Sequence, residues 1–477
     1  MEFYGESPQY TIPTKVASSD KGFVSRVDQI VVASIERYMW GRGFVKRSEY
    51  WEKTRSGGIG EKDDYVRVSF PDGSGKGGGL VTSQGYFFSY DIHQDYQADF
   101  DAIRNNVAYE CKPLKDFPSE EAMSGVVRTL LQIRDSLSVG AGRSDIGNAI
   151  LAIQGVDELV KGGNYYRFMK NVANALPSVI QSLSDLVACM HSAVESNKRA
   201  VCNFIFDIGP AMDKLVEELK DQGPSISLSK LLAVAKWTLT EIGAGASAGP
   251  VGWASIAVDS VIGAVSTIEY AAERQAAVAS GIGWGIDAGP EAVRSLLTSK
   301  SKESSLSGAL FDAEEQIAIF LNSTSKIVND RRDSYDFHPI AIKGRASGLS
   351  IDDLGSLRSM ADEAFPEVAS GLRNAANKMA GLGYSSAFSR DWAIGRGTNG
   401  ISVELNALGD FVISSLNAIA DEVENVGYSL HDYVNDVERT EQESAAALAR
   451  AANDQSPQAV HVVSNSLYSS KHQRELG

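Results

Sequence analysis

The feature that most constrains this chain is a long heptad pattern near its C-terminal end. Between positions 405 and 437, apolar side chains recur at steps of three or four residues. They are Leu405, Leu408, Val412, Leu416, Ile419, Val423, Val426, Leu430, Tyr433 and Val437. Such spacing places one apolar stripe along a single helix, and the stripe needs a partner helix over most of its length. The pattern therefore predicts a coiled-coil seam that packs against another helix.

The preceding segment supplies that second helix. Its apolar side chains also follow helical spacing, at Ile351, Leu354, Leu357, Ala361, Phe365, Val368, Leu372, Ala375, Met379 and Leu382. Pro366 lies inside this run and should kink it. The stretch 383–400 is polar and rich in glycine, which breaks a helix. We therefore expect residues 341–452 to form an antiparallel helical hairpin and residues 453–477 to form a flexible polar tail.

The middle of the chain, residues 119–340, has the periodicity of a helical bundle. Helical runs cover about 145–160, 164–220, 228–242, 251–280 and 304–334. Ser119 and the two acidic residues after it are typical of a helix N-terminus. Pro177 and Pro210 should mark kinks or ends within the longest run.

Residues 242–268 form the one stretch that is long enough to span a membrane. This candidate membrane segment includes Gly249, Pro250, Trp253 and Asp259. Pro250 and Asp259 interrupt it, and Gly, Ala and Ser make it only weakly hydrophobic. A tightly packed helical hairpin inside the bundle is therefore favoured, because small residues allow close helix approach there too.

The first part of the chain, residues 1–118, has a different sequence pattern from the helical segments that follow it. Runs 65–70 and 80–92 have strand character, and the turn-forming residues PDGSGKGGG lie between them. Helices are expected around 24–38 and 98–107. The predicted fold class is therefore mainly α, with an elongated helical bundle, a C-terminal antiparallel helical hairpin and a small N-terminal α+β module that contains a β-hairpin.

Composition limits the classes of partner. The 477 residues include 45 basic and 61 acidic side chains, for a net charge of −16, which disfavours nucleic acids and anionic membrane surfaces. The three cysteines and six histidines have no metal-ligand spacing, so we expect neither a disulfide framework nor a metal or cofactor site. The first thirty residues lack the pattern of a secretory signal peptide.

The glycine-rich stretch 73–79 has only a superficial likeness to a phosphate-binding loop. It reads GSGKGGG, and Gly77 follows Lys76 where a serine or threonine would ligate magnesium. A hairpin turn is the better interpretation, because glycine supplies the positive φ that such turns need.

No constellation of residues predicts catalysis. Cys189 and His191 lie two apart on a predicted helix, so their side chains point in different directions. Asp91 and His93 are interpreted as solvated loop residues, and the adjacent carboxylates 314–315 as ordinary helix-surface charges. We therefore expect a protein that is not an enzyme and nominate no catalytic, cofactor-binding or metal-binding residue.

The C-terminal region has a recognisable arrangement. A helix, a turn with the tryptophan Trp392, a longer amphipathic helix and the Y-x-x-x-D spacing of Tyr428 and Asp432 follow one another within residues 341–450. This resembles the WXG100 family of helical hairpins that are exported by type VII (ESX) secretion. The turn reads Trp392-Ala-Ile-Gly395, one residue longer than the family's W-x-G. Tyr433 is the alternative signal tyrosine, although Val437 replaces the acid four residues later.

The resemblance implies a larger, actinobacterial-like type VII substrate. Such a protein would be made in the cytoplasm, exported without a Sec signal peptide, and bind a WXG100-like protein, the secretion machinery or a second copy of itself. The seam from Leu408 to Leu430 would then pack within the hairpin or against that partner. Two alternatives remain: a pore-forming protein that uses 242–268, and a polymorphic toxin with an active N-terminal module.

Overall fold

The computed structural model describes residues 21–57, 61–115, 117–140, 142, 144–155, 160–161, 163–221, 284–298, 305–332, 335–337, 350–351 and 354–453. The chain divides into two compact units, each drawn from three stretches of sequence. Unit 1 comprises residues 1–132, 185–330 and 381–410, and unit 2 comprises residues 133–184, 331–380 and 411–477. The expected division into contiguous domains, 1–118, 119–340 and 341–452, does not follow these units and stays a prediction.

The described residues are mainly helical, and the predicted fold class is confirmed. The helices are α1 (Lys21–Gly41), α2 (Ser89–Ile92), α3 (Tyr96–Cys111), α4 (Glu120–Ser136), α5 (Asp145–Gln154), α6 (Gly163–Lys220), α7 (Ala288–Val293), α8 (Leu306–Asp330), α9 (Leu354–Ser359), α10 (Phe365–Ala380), α11 (Tyr384–Ala387) and α12 (Ser402–Asn453). The strands are β1 (Val45–Lys46), β2 (Tyr50–Arg55), β3 (Asp64–Ser69), β4 (Val81–Gln84), β5 (Val160–Lys161) and β6 (Ser350–Ile351).

Unit 1 contains a four-stranded antiparallel sheet in the order β1-β2-β3-β4. The predicted hairpin is its β3–β4 pair, but the strand expected over 80–92 ends at Gln84 and is followed by a turn and α2. Strand β2 was not predicted, because its inner face carries the cation Lys53 beside Trp51 instead of two apolar residues. The ring of Trp51 packs edge-on against Phe100 of α3, with 5.6 Å between the ring centroids.

Helices α1, α3 and α7 pack together in unit 1. Helices α1 and α7 approach each other closely, since a Cβ atom on Gly289 would lie 1.9 Å from the Ser34 hydroxyl. Helix α4 begins as predicted at Ser119, whose hydroxyl accepts the backbone N–H of Ala122 at 3.0 Å. A glycine is therefore required at the α1–α7 contact, and a side-chain cap starts α4.

In unit 2, helices α9 and α10 pair with α12 in an antiparallel arrangement, as the predicted hairpin requires. Arg358 of α9 binds Glu438 of α12 at 2.9 Å, and Arg373 of α10 binds Asp421 of α12 at 2.7 Å. Residue numbers rise on one side of the pair and fall on the other, so the helices run in opposite directions. Gly427 lets α12 approach α10 closely, since a Cβ atom there would lie 3.0 Å from the Phe365 Cβ atom.

Prolines have different effects in two of the helices. Pro366 is the second residue of α10, which directly follows a π-helical turn over Met360–Ala364 that separates it from α9. A proline cannot donate to the carbonyl four residues earlier, and the wider turn accommodates this missing hydrogen bond. In contrast, neither Pro177 nor Pro210 ends α6, which is continuous from Gly163 to Lys220. Burial of apolar neighbours such as Leu176 outweighs the lost hydrogen bond there.

Candidate functional site: the tryptophan-bearing turn

The turn that joins α10 and α12 carries Trp392 in an exposed position. The Trp392 side chain is 67% exposed, although a large aromatic residue is usually buried in a folded domain. On either side of it, the Asp391 carboxylate accepts the backbone N–H of Ala393 at 2.9 Å, and the Asp391 carbonyl accepts that of Ile394 at 3.1 Å. The local backbone is therefore ordered around an outward-facing tryptophan.

A buried ion pair lies beneath this turn. Both carboxylate oxygens of Glu314, on α8, accept the Nη2 group of Arg390, and both side chains are 0% exposed. Glu314 also accepts the backbone N–H of Arg396 at 2.9 Å. A buried charge is stable only when it is paired and hydrogen-bonded, and Glu314 has both kinds of partner.

The interpretation of Glu314 as a helix-surface charge is therefore wrong. Glu314 lies four residues after Leu310 and three before Ile317, on the buried apolar stripe of α8. The position of a carboxylate on such an apolar stripe is the sequence signal that could have predicted its burial. Its neighbour Glu315 is partly exposed and binds Arg396 at 3.0 Å, as expected for a surface residue.

Two glycines close the turn over the ion pair. Gly395 and Gly400 have φ angles of +54° and +53°, which favour glycine. A Cβ atom at Gly395 would lie 2.5 Å from a Glu314 carboxylate oxygen, and one at Gly400 would lie 3.0 Å from Arg390 Nη2. The predicted turn residue Gly395 is thus needed for both its backbone angle and its close approach.

Helix α8 binds this turn at a further point. The Ser307 hydroxyl donates to the Ala393 carbonyl at 2.9 Å and accepts the Gly395 N–H at 3.0 Å. Arg396 also binds Glu404, in the first turn of α12, at 2.8 Å. Polar contacts therefore attach the turn to both α8 and the start of α12.

The predicted seam of α12 is buried through Leu430. Leu408, Val412, Leu416, Ile419, Val423, Val426 and Leu430 are each at most 2% exposed. Beyond that point the prediction is wrong by one residue, because Val434 is fully buried, whereas Tyr433 and Val437 are only partly buried. A helix with 3.6 residues per turn drifts from a strict heptad, which moves the buried position from 433 to 434.

The candidate export-signal residues lie on α12. Tyr428 is 63% exposed, and its hydroxyl donates to Glu424 at 3.1 Å on the preceding turn, a bond that raises the pKa of Tyr428. Asp432 is exposed as well, while Tyr433 is partly buried, and this burial raises its pKa. The structure thus leaves Tyr428 and Asp432, but not Tyr433, on the outer surface of the helix.

The candidate membrane segment lies outside the described residues, and so do Gly249, Pro250, Trp253 and Asp259 within it. In the described part of the chain, one other helix, Asn171–Lys220, is long and apolar enough to cross a membrane. Half of its most apolar stretch is buried inside the protein, and the core helices of soluble proteins also meet these criteria of length and composition. That helix therefore carries no argument for membrane insertion.

The glycine-rich loop 73–79 forms the β3–β4 turn. The Asp72 carboxylate accepts the backbone N–H groups of Ser74 at 2.9 Å and of Lys76 at 2.8 Å. Since a carboxylate of the chain already binds these donors, they are not free for a phosphate.

Asp91 is buried, so its interpretation as a solvated loop residue is wrong. Its carboxylate binds Arg42 at 3.1 Å, Lys53 at 3.0 Å and the Tyr96 hydroxyl at 2.9 Å. Burial acts to raise the pKa of Asp91, but these hydrogen bonds outweigh it and lower the pKa. His93, by comparison, is exposed. The Asp91 cluster joins the end of α1, β2 and α3.

The cysteines have the properties of structural thiols. Burial raises the pKa of Cys111 to about 12 and those of Cys189 and Cys202 to about 11, so the thiols are neutral at physiological pH. Among the residues that the structure describes, no three histidine, cysteine or acidic side chains form a group that could hold a metal ion.

The fold and the turn define a class: a mainly α protein with an antiparallel pair of long helices, which are joined in sequence by a turn that carries an exposed tryptophan. No protein-family model, no curated protein and no solved structure matches the chain.

Proposed function

We propose that this protein is a non-enzymatic, type VII-associated secreted or cell-envelope protein that acts by binding a protein partner through its helical hairpin. The observation that carries the proposal is the exposed Trp392 at the tip of an antiparallel hairpin, on a turn held by a buried ion pair. An exposed aromatic residue on an ordered backbone suits partner binding, because it adds contact area at a small entropic cost.

The buried seam limits which surface meets the partner. Leu408 to Leu430 are covered within the chain, so the seam stabilises the hairpin and is not a free docking stripe. Exposed residues of the hairpin segment include Trp392 in the turn, Tyr428 and Asp432 on α12, and residues 439–450 of α12. The partner of the proposal therefore contacts exposed residues of the turn or of the outer helix faces, and not the seam.

A secretion assay tests the proposal. The full chain is expressed in a bacterium with a type VII system and in an isogenic strain without it, and the protein in the culture medium is measured. We expect export only in the competent strain, and its loss in Trp392→Ala, in Tyr428→Ala and in a chain lacking 341–477.

Two variants act as controls. Tyr109→Ala removes a tyrosine that is 72% exposed on α3, outside the segment 341–477, and should be exported normally. Tyr433→Ala distinguishes the two candidate signal tyrosines, and its normal export would assign the signal to Tyr428. Unchanged export of every variant, or equal export from both strains, would refute the proposed function.

A further inference from the structure

We propose that Glu314 is a positioning residue for the tryptophan-bearing turn, so that the surface that presents Trp392 is a composite of α8 and this turn. The importance of this surface for partner binding rests on the proposed function. Its geometry does not, because it follows from contacts within unit 1.

The contacts of Glu314 lie on both sides of Trp392. Its carboxylate binds the side chain of Arg390, two residues before the tryptophan, and the backbone N–H of Arg396, four residues after it. A single buried carboxylate therefore ties together the two ends of the short segment that displays Trp392.

Ser307 adds a second attachment from the same helix. It lies seven residues before Glu314, which is two helical turns, so both side chains project from one face of α8. Its hydroxyl bonds the Ala393 carbonyl and the Gly395 N–H, directly after Trp392. These bonds fix the backbone next to the tryptophan to a helix outside the predicted hairpin segment 341–452.

The turn and the ion pair depend on each other. Gly395 and Gly400 pack directly on Glu314 and Arg390, whose side chains are fully buried. Because Trp392 is 67% exposed, burial of its own ring contributes little to its position. The backbone on either side therefore contributes to the position of Trp392, and Glu314 holds that backbone.

The test needs a variant that keeps the fold but loses the positioning contact. The double variant Glu314→Leu with Arg390→Met replaces the buried ion pair by apolar side chains of similar volume, a change that proteins often tolerate without losing stability. It removes the acceptor for the Arg396 N–H. The matched control is Glu315→Gln, which changes the adjacent, partly exposed carboxylate and leaves Glu314 in place.

Hydrogen exchange followed by mass spectrometry, with thermal unfolding of the full chain, measures the positioning directly. In the double variant we expect amide exchange of residues 393–397 to rise by about tenfold or more, since a buried hydrogen bond is lost. Exchange in the α12 seam and the melting temperature should stay close to those of the wild type. Glu315→Gln should match the wild type throughout. Unchanged exchange at 393–397 in the double variant would overturn the proposal.

The secretion assay then separates the two proposals. We expect export of the double variant to fall to the level of Trp392→Ala. Suppose that Trp392→Ala loses export, whereas the double variant keeps it despite faster amide exchange at residues 393–397. The contribution of the composite surface to export is then refuted, and the proposed function stands. If Trp392→Ala is exported normally, the role of Trp392 in the proposed function fails, whereas the exchange result still decides whether Glu314 positions the turn.

Discussion

Replacing Val423 by Asp tests whether the seam of α12 holds the hairpin together. Val423 is 0% exposed on α12. Losing the burial of a valine side chain costs about 1.5–2 kcal/mol, and desolvating the new carboxylate adds about 1–2 kcal/mol. We therefore expect Val423→Asp to lower the free energy of unfolding by about 2.5–4 kcal/mol at neutral pH, within the range for such core substitutions.

The effect should depend on pH in one direction. An unpaired carboxyl in an apolar site has a raised pKa in the folded state, so the folded protein binds the proton more tightly than the unfolded chain does. The loss of stability is therefore largest at pH 7 and above, and it shrinks as the pH falls toward 4. Urea unfolding at several pH values, with each variant compared with the wild type at the same pH, measures this difference.

The matched control lies on the same helix. Val403 is 64% exposed in the first turn of α12, where an acidic residue also favours the helix dipole. Val403→Asp should change the stability by less than about 0.5 kcal/mol at any of these pH values. Equal urea midpoints for Val423→Asp and Val403→Asp would show that the stripe is not a buried seam and would refute the reasoning.

Three other substitutions test the packing and electrostatics of each unit. Gly371→Ala should lower stability in urea unfolding by about 1–2 kcal/mol, because the new Cβ atom would lie 2.5 Å from Ile146 of α5. Gly125→Ala, at a helical site with nothing within 4 Å, should raise stability by about 0.5–1 kcal/mol, and a loss there would contradict the helix of α4. Burial raises the pKa of Asp207 from 3.8 to about 6, so its charge opposes folding above pH 6 and the penalty fades as the pH falls toward 4. Asp207→Asn should therefore raise the free energy of unfolding by about 2 kcal/mol at pH 7.5 and leave it almost unchanged at pH 4. A gain of equal size at both pH values would show that the charge of Asp207 is not responsible.

Local periodicity explains which parts of the fold were predictable. The seam from Leu408 to Leu430 could be predicted because helical spacing marks each buried residue from its neighbours in sequence. The same rule failed at Tyr433, where the gradual drift of the helix moves burial to Val434. Strand β2 escaped prediction because Lys53 lies on its inner face, where the carboxylate of Asp91 and the carbonyl of Arg42, both distant in sequence, accept its ammonium group.

The sequence by itself determined the mainly α fold, the antiparallel hairpin and the residues of its turn, since each depends on spacing, glycine and proline over a short stretch of chain. Only the tertiary structure decided that Glu314 is buried and that Trp392 is displayed above it. The partner that neutralises Glu314 is Arg390, 76 residues further along the chain. No local pattern encodes a pairing over that distance, because a buried carboxylate and a surface carboxylate differ only in what the fold brings next to them.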